Sequence, residues 1–167
     1  MLKIENKKNG FTLIEVIVSL VLLGIMGAIV GMGMVNIVNS YFFSARNLVT
    51  IQKSTLVLSR LEKELSTVRA ISSATANAIT FTRFDYVTYT NVQDTISVNG
   101  ANLLSNTSIL TDQVNAFTLT YYNTYNSAAG AYDATNTTII GVNLVLIPQA
   151  GMTASFTDRI YIRPYNR

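Results

Sequence analysis

The chain has 167 residues, 49% of them apolar and 13% charged, with no Cys and no His. That length suits one ordinary domain, the apolar content excludes disorder, and the missing residue types exclude disulfide frameworks, thiolate catalysis, the usual zinc sites and the commonest general base. The formal charge of +3 divides unevenly: Lys3, Lys7 and Lys8 against Glu5 leave the first ten residues at +2, and the other nine basic and eight acidic residues leave +1, too little for a nucleic-acid-binding field.

Residues 1–10 form a short basic leader that ends in Lys7-Lys8-Asn9-Gly10. Residues 16–45 then carry no charge, and the first twenty of them hold fifteen apolar residues, four Gly and Ser19. Twenty helical residues rise about 30 Å, the thickness of a bilayer's hydrocarbon core, so residues 11–40 are predicted to form a membrane-spanning helix. Lysines precede this stretch and no such cluster soon follows it. The positive-inside bias therefore places the N-terminus in the cytoplasm and everything after about residue 40 across the membrane.

Glu15 stands at the start of the apolar run, where a carboxylate costs about 2.5–3.5 kcal/mol near mid-bilayer and less near the interface. Two readings are open: the carboxylate reaches the headgroups, or it pairs with a cation. The cations upstream are the leader lysines and any new N-terminus made by proteolysis. Gly24, Gly27, Gly31 and Gly33 cluster further along. They suit either close helix packing through Gly27-x-x-x-Gly31 or local unwinding.

The run Lys7-Lys8-Asn9-Gly10-Phe11-Thr12-Leu13-Ile14-Glu15-Val16 resembles the N-terminal signal of type IV pilins and type II secretion pseudopilins. The shared pattern is a basic leader, Gly, Phe, a Glu at the fifth position after the cut, and an apolar helix. An ordinary secretory signal is instead cut after its apolar stretch. The resemblance covers residues 7–35. It implies that a prepilin peptidase cleaves between Gly10 and Phe11 and methylates the new Phe11 amine, and that Glu15 faces the Phe11 amine of a neighbouring subunit during assembly. Gly10 suits a protease, because a residue without Cβ lets the backbone enter a narrow site. Glu15 can also reach its own Phe11 amine, since i and i+4 share a helix face.

The partners implied are the peptidase, other pilin or pseudopilin subunits and an inner-membrane assembly platform. The implied location is the bacterial inner membrane, single-pass with the C-terminal domain in the periplasm, and then a filament. Two departures turn the expectation from a major toward a minor subunit. Met32 stands where many major pilins have Pro, and there is no Cys to close a C-terminal loop.

Beyond the membrane stretch, Leu48, Ile51, Leu58, Leu61, Leu65 and Val68 recur at spacings of three, four or seven. Arg46, Lys53, Arg60, Glu62, Lys63, Glu64 and Arg69 supply the polar side. This predicts an amphipathic helix over residues 41–71, and the helical path from residue 11 to 68 is about 87 Å long. Tyr41, Phe42 and Phe43 fit either an aromatic belt at the outer interface or a filament core. Residues 72–77, SSATAN, favour turns and end the helix.

Residues 72–167 are β-rich. Alternation and β-branched or aromatic content predict strands over 79–82, 87–89, 95–98, 117–121, 142–146 and 159–162. Asn99-Gly100 predicts a tight hairpin into residues 101–104. One long helix followed by runs of strands gives an α+β domain with an antiparallel sheet packed on the helix. The order of strands over residues 79–165, including Val114-x-x-Phe117-x-Leu119-x-Tyr121, is similar to minor pilins and J-type minor pseudopilins.

Residues 121–138, YYNTYNSAAGAYDATNTT, read as a solvated loop, with an adhesive or glycan-contacting surface as the alternative. Asn106-Thr107-Ser108 and Asn136-Thr137-Thr138 satisfy the glycosylation triplet, which says little in a bacterial chain. Asp85, Asp94, Asp112, Asp133 and Asp158 lack calcium-loop spacing, so no metal and no cofactor is expected. The function expected is a structural subunit. A stand-alone membrane-anchored periplasmic binding or adhesion module is the alternative, and it would keep residues 1–10. An enzyme is not expected, since the exported part offers no His, Cys or clustered acid pair.

Overall fold

Leu13–Ser66 form one unbroken 54-residue α-helix, α1, which runs through all four clustered glycines. The structure is a computed structural model describing residues 10–162; the leader's lysines and residues 163–167 lie outside the described residues. The chain divides into two compact units after Ala45. In the first, α1 contains an 18-residue window of mean hydropathy 2.7, none of it buried, long and apolar enough to cross a membrane.

The second unit holds the rest of α1 and eight strands. The strands are β1 (Val68–Ala74), β2 (Ala78–Asp85), β3 (Thr90–Asn99), β4 (Asn102–Ser105), β5 (Ser108–Thr111), β6 (Val114–Tyr122), β7 (Ile139–Gln149) and β8 (Met152–Tyr161). They make a five-stranded sheet in the order β1-β2-β3-β4-β5 and a three-stranded sheet in the order β6-β7-β8. Every pairing is antiparallel between sequence neighbours. The α+β class with one long N-terminal helix and antiparallel strands is as expected, but the strands form two sheets rather than one. Leu61 and Leu65 join Phe81, Ile96 and Leu103 of the first sheet and Leu144 and Leu146 of the second in one buried cluster.

The face that α1 presents to this core differs from the predicted stripe at its upper end. The buried residues are Thr50, Ser54, Val57, Leu61 and Leu65, whereas Leu48 and Ile51 are 57% and 50% exposed and Leu58 is half-buried. Leu48, Val49, Ile51 and Leu56 are all exposed, so over residues 48–56 the apolar positions do not mark the inner face. Two small hydroxyl residues take the inner positions because their polar atoms are satisfied within the helix. Thr50 Oγ1 donates to the Arg46 carbonyl at 3.0 Å, and Ser54 Oγ donates to the Ile51 carbonyl at 2.8 Å.

The helix stops at Ser66, five residues before the expected end at 71. There Ser66 Oγ donates to the Lys63 carbonyl at 3.1 Å and Thr67 Oγ1 to the Glu64 carbonyl at 3.0 Å. Val68, Arg69 and Ile71 lie in β1, where pairing with β2 overrides a pattern that also fits a helix. The strand predicted over 87–89 is a turn. Asp85 Oδ1 accepts the Val87 N–H at 2.8 Å, an Asx turn that holds its carboxyl below the usual range, and Tyr89 has φ 55°. The Asn99-Gly100 hairpin forms with Asn99 opposite Asn102, and Gly100 at φ 59° supplies the positive φ that its two-residue turn needs.

Two polar arrangements fix loops that composition alone leaves open. Asp94 is buried and accepts from Arg83 Nε and, at 2.8 Å, from Asn106 Nδ2; Asn106 Oδ1 in turn accepts the Thr95 N–H at 2.8 Å. After β6, Asp133 Oδ1 accepts the Thr135 N–H at 2.8 Å and Thr137 is buried beneath the loop. The Arg159 guanidinium lies 4.5 Å from the Tyr122 ring and 5.2 Å from the Tyr125 ring. Residues 121–138 are therefore pinned rather than simply solvated. The Asn106 and Asn136 amides of both glycosylation triplets are engaged by Asp94 and Asp133.

A fragment starting near Ser40 should fold alone. In it, Leu61→Ala and Leu65→Ala should each cost about 2–5 kcal/mol. Leu48→Ala should stay within about 0.5 kcal/mol, as exposed positions do. Urea denaturation midpoints check the contrast.

Tyr121 gives a second outcome, because burial pushes its hydroxyl up to about 12 while the O–H donates to the Thr75 carbonyl at 2.8 Å. The folded state then holds a proton that the unfolded chain releases from about pH 10. Stability should be flat below that pH and fall as pH rises toward about 12. Tyr121→Phe should flatten that alkaline slope while costing about 0.5–1.5 kcal/mol at neutral pH, measured by denaturation across pH.

Candidate processing and assembly site

Gly10, Phe11 and Thr12 precede α1 and lie outside regular structure. Thr12 caps the helix through its carbonyl, which accepts the Glu15 N–H at 3.1 Å and the Val16 N–H at 3.2 Å. The Gly10-Phe11 bond therefore sits outside the first helical turn, where no helical hydrogen bond hinders access to it. Gly10 has open space around its α-carbon, and Phe11 is 84% exposed.

Glu15 lies in the first turn of α1, an exposed position at which the positive end of the helix dipole favours a carboxylate. Among the described residues it makes no ion pair. Phe11, Thr12 and Glu15 thus lie at one helix end through sequence proximity.

Thr12, not among the expected site residues, supplies the first carbonyl of the helix ladder. Thr12-Leu13-Ile14-Glu15 has the S/T-x-x-E spacing of a capping box, and that signal was available in the pattern. Neither side-chain bond of such a box is made, however: Glu15 N–H and Val16 N–H both go to the Thr12 backbone carbonyl.

Past Glu15, every residue up to Ser44 is exposed, including the aromatic pair Tyr41 and Phe42, whose rings meet edge-on at 6.0 Å. Gly24, Gly27, Gly31 and Gly33 all have room for a Cβ within the chain's own fold. Among the described residues there is no group of three or more potential metal ligands.

No curated protein and no solved structure matches the chain. Residues 6–31 match the family described as the prokaryotic N-terminal methylation motif. The matched stretch runs from the end of the leader across the Gly10-Phe11 junction and Glu15 into the apolar helix, and stops before the second unit. The chain therefore carries a prepilin-type signal of the kind found on type IV pilins and pseudopilins.

Proposed function

We propose that this chain is a minor structural subunit of a type IV pilus or type II secretion pseudopilus, cleaved after Gly10, N-methylated at Phe11 and assembled through α1. The observation that carries the reading is the methylation motif over residues 6–31 joined to a helix in whose apolar window no residue is buried by its own chain. Such a helix needs lipid before assembly and other helices after it.

In this reading Glu15 supplies the counter-charge for the Phe11 amine of a neighbouring subunit. A lone subunit keeps the carboxylate near headgroups. In a filament core it loses water, and an unpaired buried charge is costly even where the pair itself adds little stability. The domain in the periplasm, residues 41–167, forms the outer part of the subunit, and the assembly platform and other subunits are its partners. Minor status is supported by Met32 in place of Pro and by the absence of Cys.

Mature protein isolated from native membranes should begin with methylated Phe11, which intact-mass measurement reads directly. Gly10→Val should leave the leader attached. A wild-type chain still carrying residues 1–10 would instead favour a stand-alone anchored module.

Glu15→Ala, Glu15→Gln and Glu15→Val should be exported and processed normally, yet reach sheared filaments at about a tenth of the wild-type level or less, the scale of one lost contact of about 1.4 kcal/mol. Glu15→Asp should be intermediate, keeping the charge with a shorter reach. Incorporation of Glu15→Ala at the wild-type level, normalised to membrane amount, would refute the pairing role.

A further inference from the structure

Two sheets have four edges, and three of them are blunted. The β1 pairing with β2 shifts register twice, between Val68 and Ala70 and between Ile71 and Ser73. β5 is four residues long. The outer edge of β6 is in use: Leu119 N–H donates to the Ala76 carbonyl at 2.6 Å, and Gly130 N–H donates to the Tyr121 carbonyl at 2.9 Å. Short, bulged or covered strands are the usual ways in which an edge is kept from pairing with another chain.

β8 has none of these protections over most of its ten residues. Its register with β7 is unbroken from Ile139 opposite Tyr161 to Leu146 opposite Ala154, and it contains neither Lys nor Pro. Ile162 N–H donates to the Thr138 carbonyl at 2.9 Å in that same register. Because antiparallel hydrogen bonding alternates, Ala154, Phe156, Asp158 and Ile160 turn their backbone groups to β7, while Thr153, Ser155, Thr157 and Arg159 turn theirs outward. The Arg159 N–H is taken by Asp158 Oδ1 at 2.7 Å. Among the described residues no hydrogen bond reaches the outward backbone groups of Thr153, Ser155 or Thr157.

The open segment, Thr153-Ala154-Ser155-Phe156-Thr157, is self-complementary in the antiparallel sense. With Ser155 opposite Ser155 of another copy, Thr153 meets Thr157 and Ala154 meets Phe156. The residues with outward backbone groups then face each other, giving about six N–H to carbonyl bonds across the pair. Hydroxyl side chains pair on the exposed face, a favourable cross-strand combination. On the other face small Ala154 lies opposite Phe156, which is half-buried against the core. The ladder also has natural ends: Met152 leaves the turn at Gly151, where φ is 80°, and Asp158 closes the other side through the Arg159 N–H. These two residues are equally far from Ser155, as a twofold contact requires.

We propose that β8 pairs antiparallel with β8 of a second copy of this chain, centred on Ser155, joining two three-stranded sheets into one six-stranded sheet. This contact rests on sheet geometry and does not depend on the processing of the N-terminus.

The chain has no Cys, so Ser155→Cys introduces a single thiol that a short bismaleimide can join to its counterpart. In full-length protein, in native membranes and in detergent micelles, Ser155→Cys should give a cross-linked homodimer. Thr107→Cys, at the exposed β4-β5 turn, should not. Adding Thr157→Pro to Ser155→Cys removes an N–H that faces the partner and should lower the homodimer about tenfold. Far-UV circular dichroism should stay unchanged, because that N–H is outside the β7 ladder. Cross-linking no greater than from Thr107→Cys, cross-linking indifferent to Thr157→Pro, or a Ser155→Cys adduct to a different protein would each overturn the proposal.

Discussion

An uncharged apolar helical stretch in which its own chain buries no residue has to be covered by something else. Residues 16–45 carry no charge, and the apolar window of α1 is unburied within the fold. At about 25 cal/mol per Å2 of apolar surface, leaving twenty such side chains in water costs tens of kcal/mol, more than the whole stability of a typical domain. Lipid and neighbouring helices both remove that cost. In the proposed reading only helix neighbours can do so once the subunit leaves the bilayer, which ties extraction from the membrane to assembly.

The second unit handles α1 differently. From Thr50 to Leu65 the helix buries one narrow face against two sheets, and the small hydroxyls at Thr50 and Ser54 allow close approach without leaving a polar group unsatisfied. Leu48, Val49, Ile51 and Leu56 remain exposed on the other sides. The same helix therefore supplies a core for its own unit and apolar surface facing outward, so the demand for external cover does not end where the membrane stretch ends.

The parts legible in the sequence were those set by local chemistry. The methylation motif, the charge-free stretch, the Asn99-Gly100 hairpin and most strands follow from residues close together in the chain. What was not legible depended on competition between equally good local answers. Val68 and Ile71 fit a helical stripe and a strand alike, and pairing of β1 with β2 decided between them. Leu48 and Ile51 fitted the stripe but lost the inner positions to Thr50 and Ser54, whose hydroxyls look polar in a pattern yet are satisfied inside a helix. Val87 and Tyr89 have strand character, but the Asp85 carboxylate organises a turn there. At the candidate site, Gly10, Phe11 and Glu15 stood out because each is unusual in its place. Thr12 did not, because a threonine before a helix is ordinary.

Thr12 also bears on why a carboxylate is needed at residue 15 in the proposed reading. With cleavage after Gly10, Phe11 and Thr12 alone precede the helix, so the new positive amine arrives at the end where the helix dipole is also positive. N-methylation keeps the charge on that amine, so the modification does not relieve the conflict. A carboxylate in the first turn does relieve it, and Glu15 holds that position. In a bundle of such helices every subunit brings one amine and one carboxylate to the same level, and each carboxylate can serve its own amine or a neighbour's. Glutamine at residue 15 preserves the size and some hydrogen bonding but not the balance of charge. Pairing of the Glu15 carboxylate with the amine therefore requires Glu15→Gln to behave like Glu15→Ala rather than like Glu15→Asp.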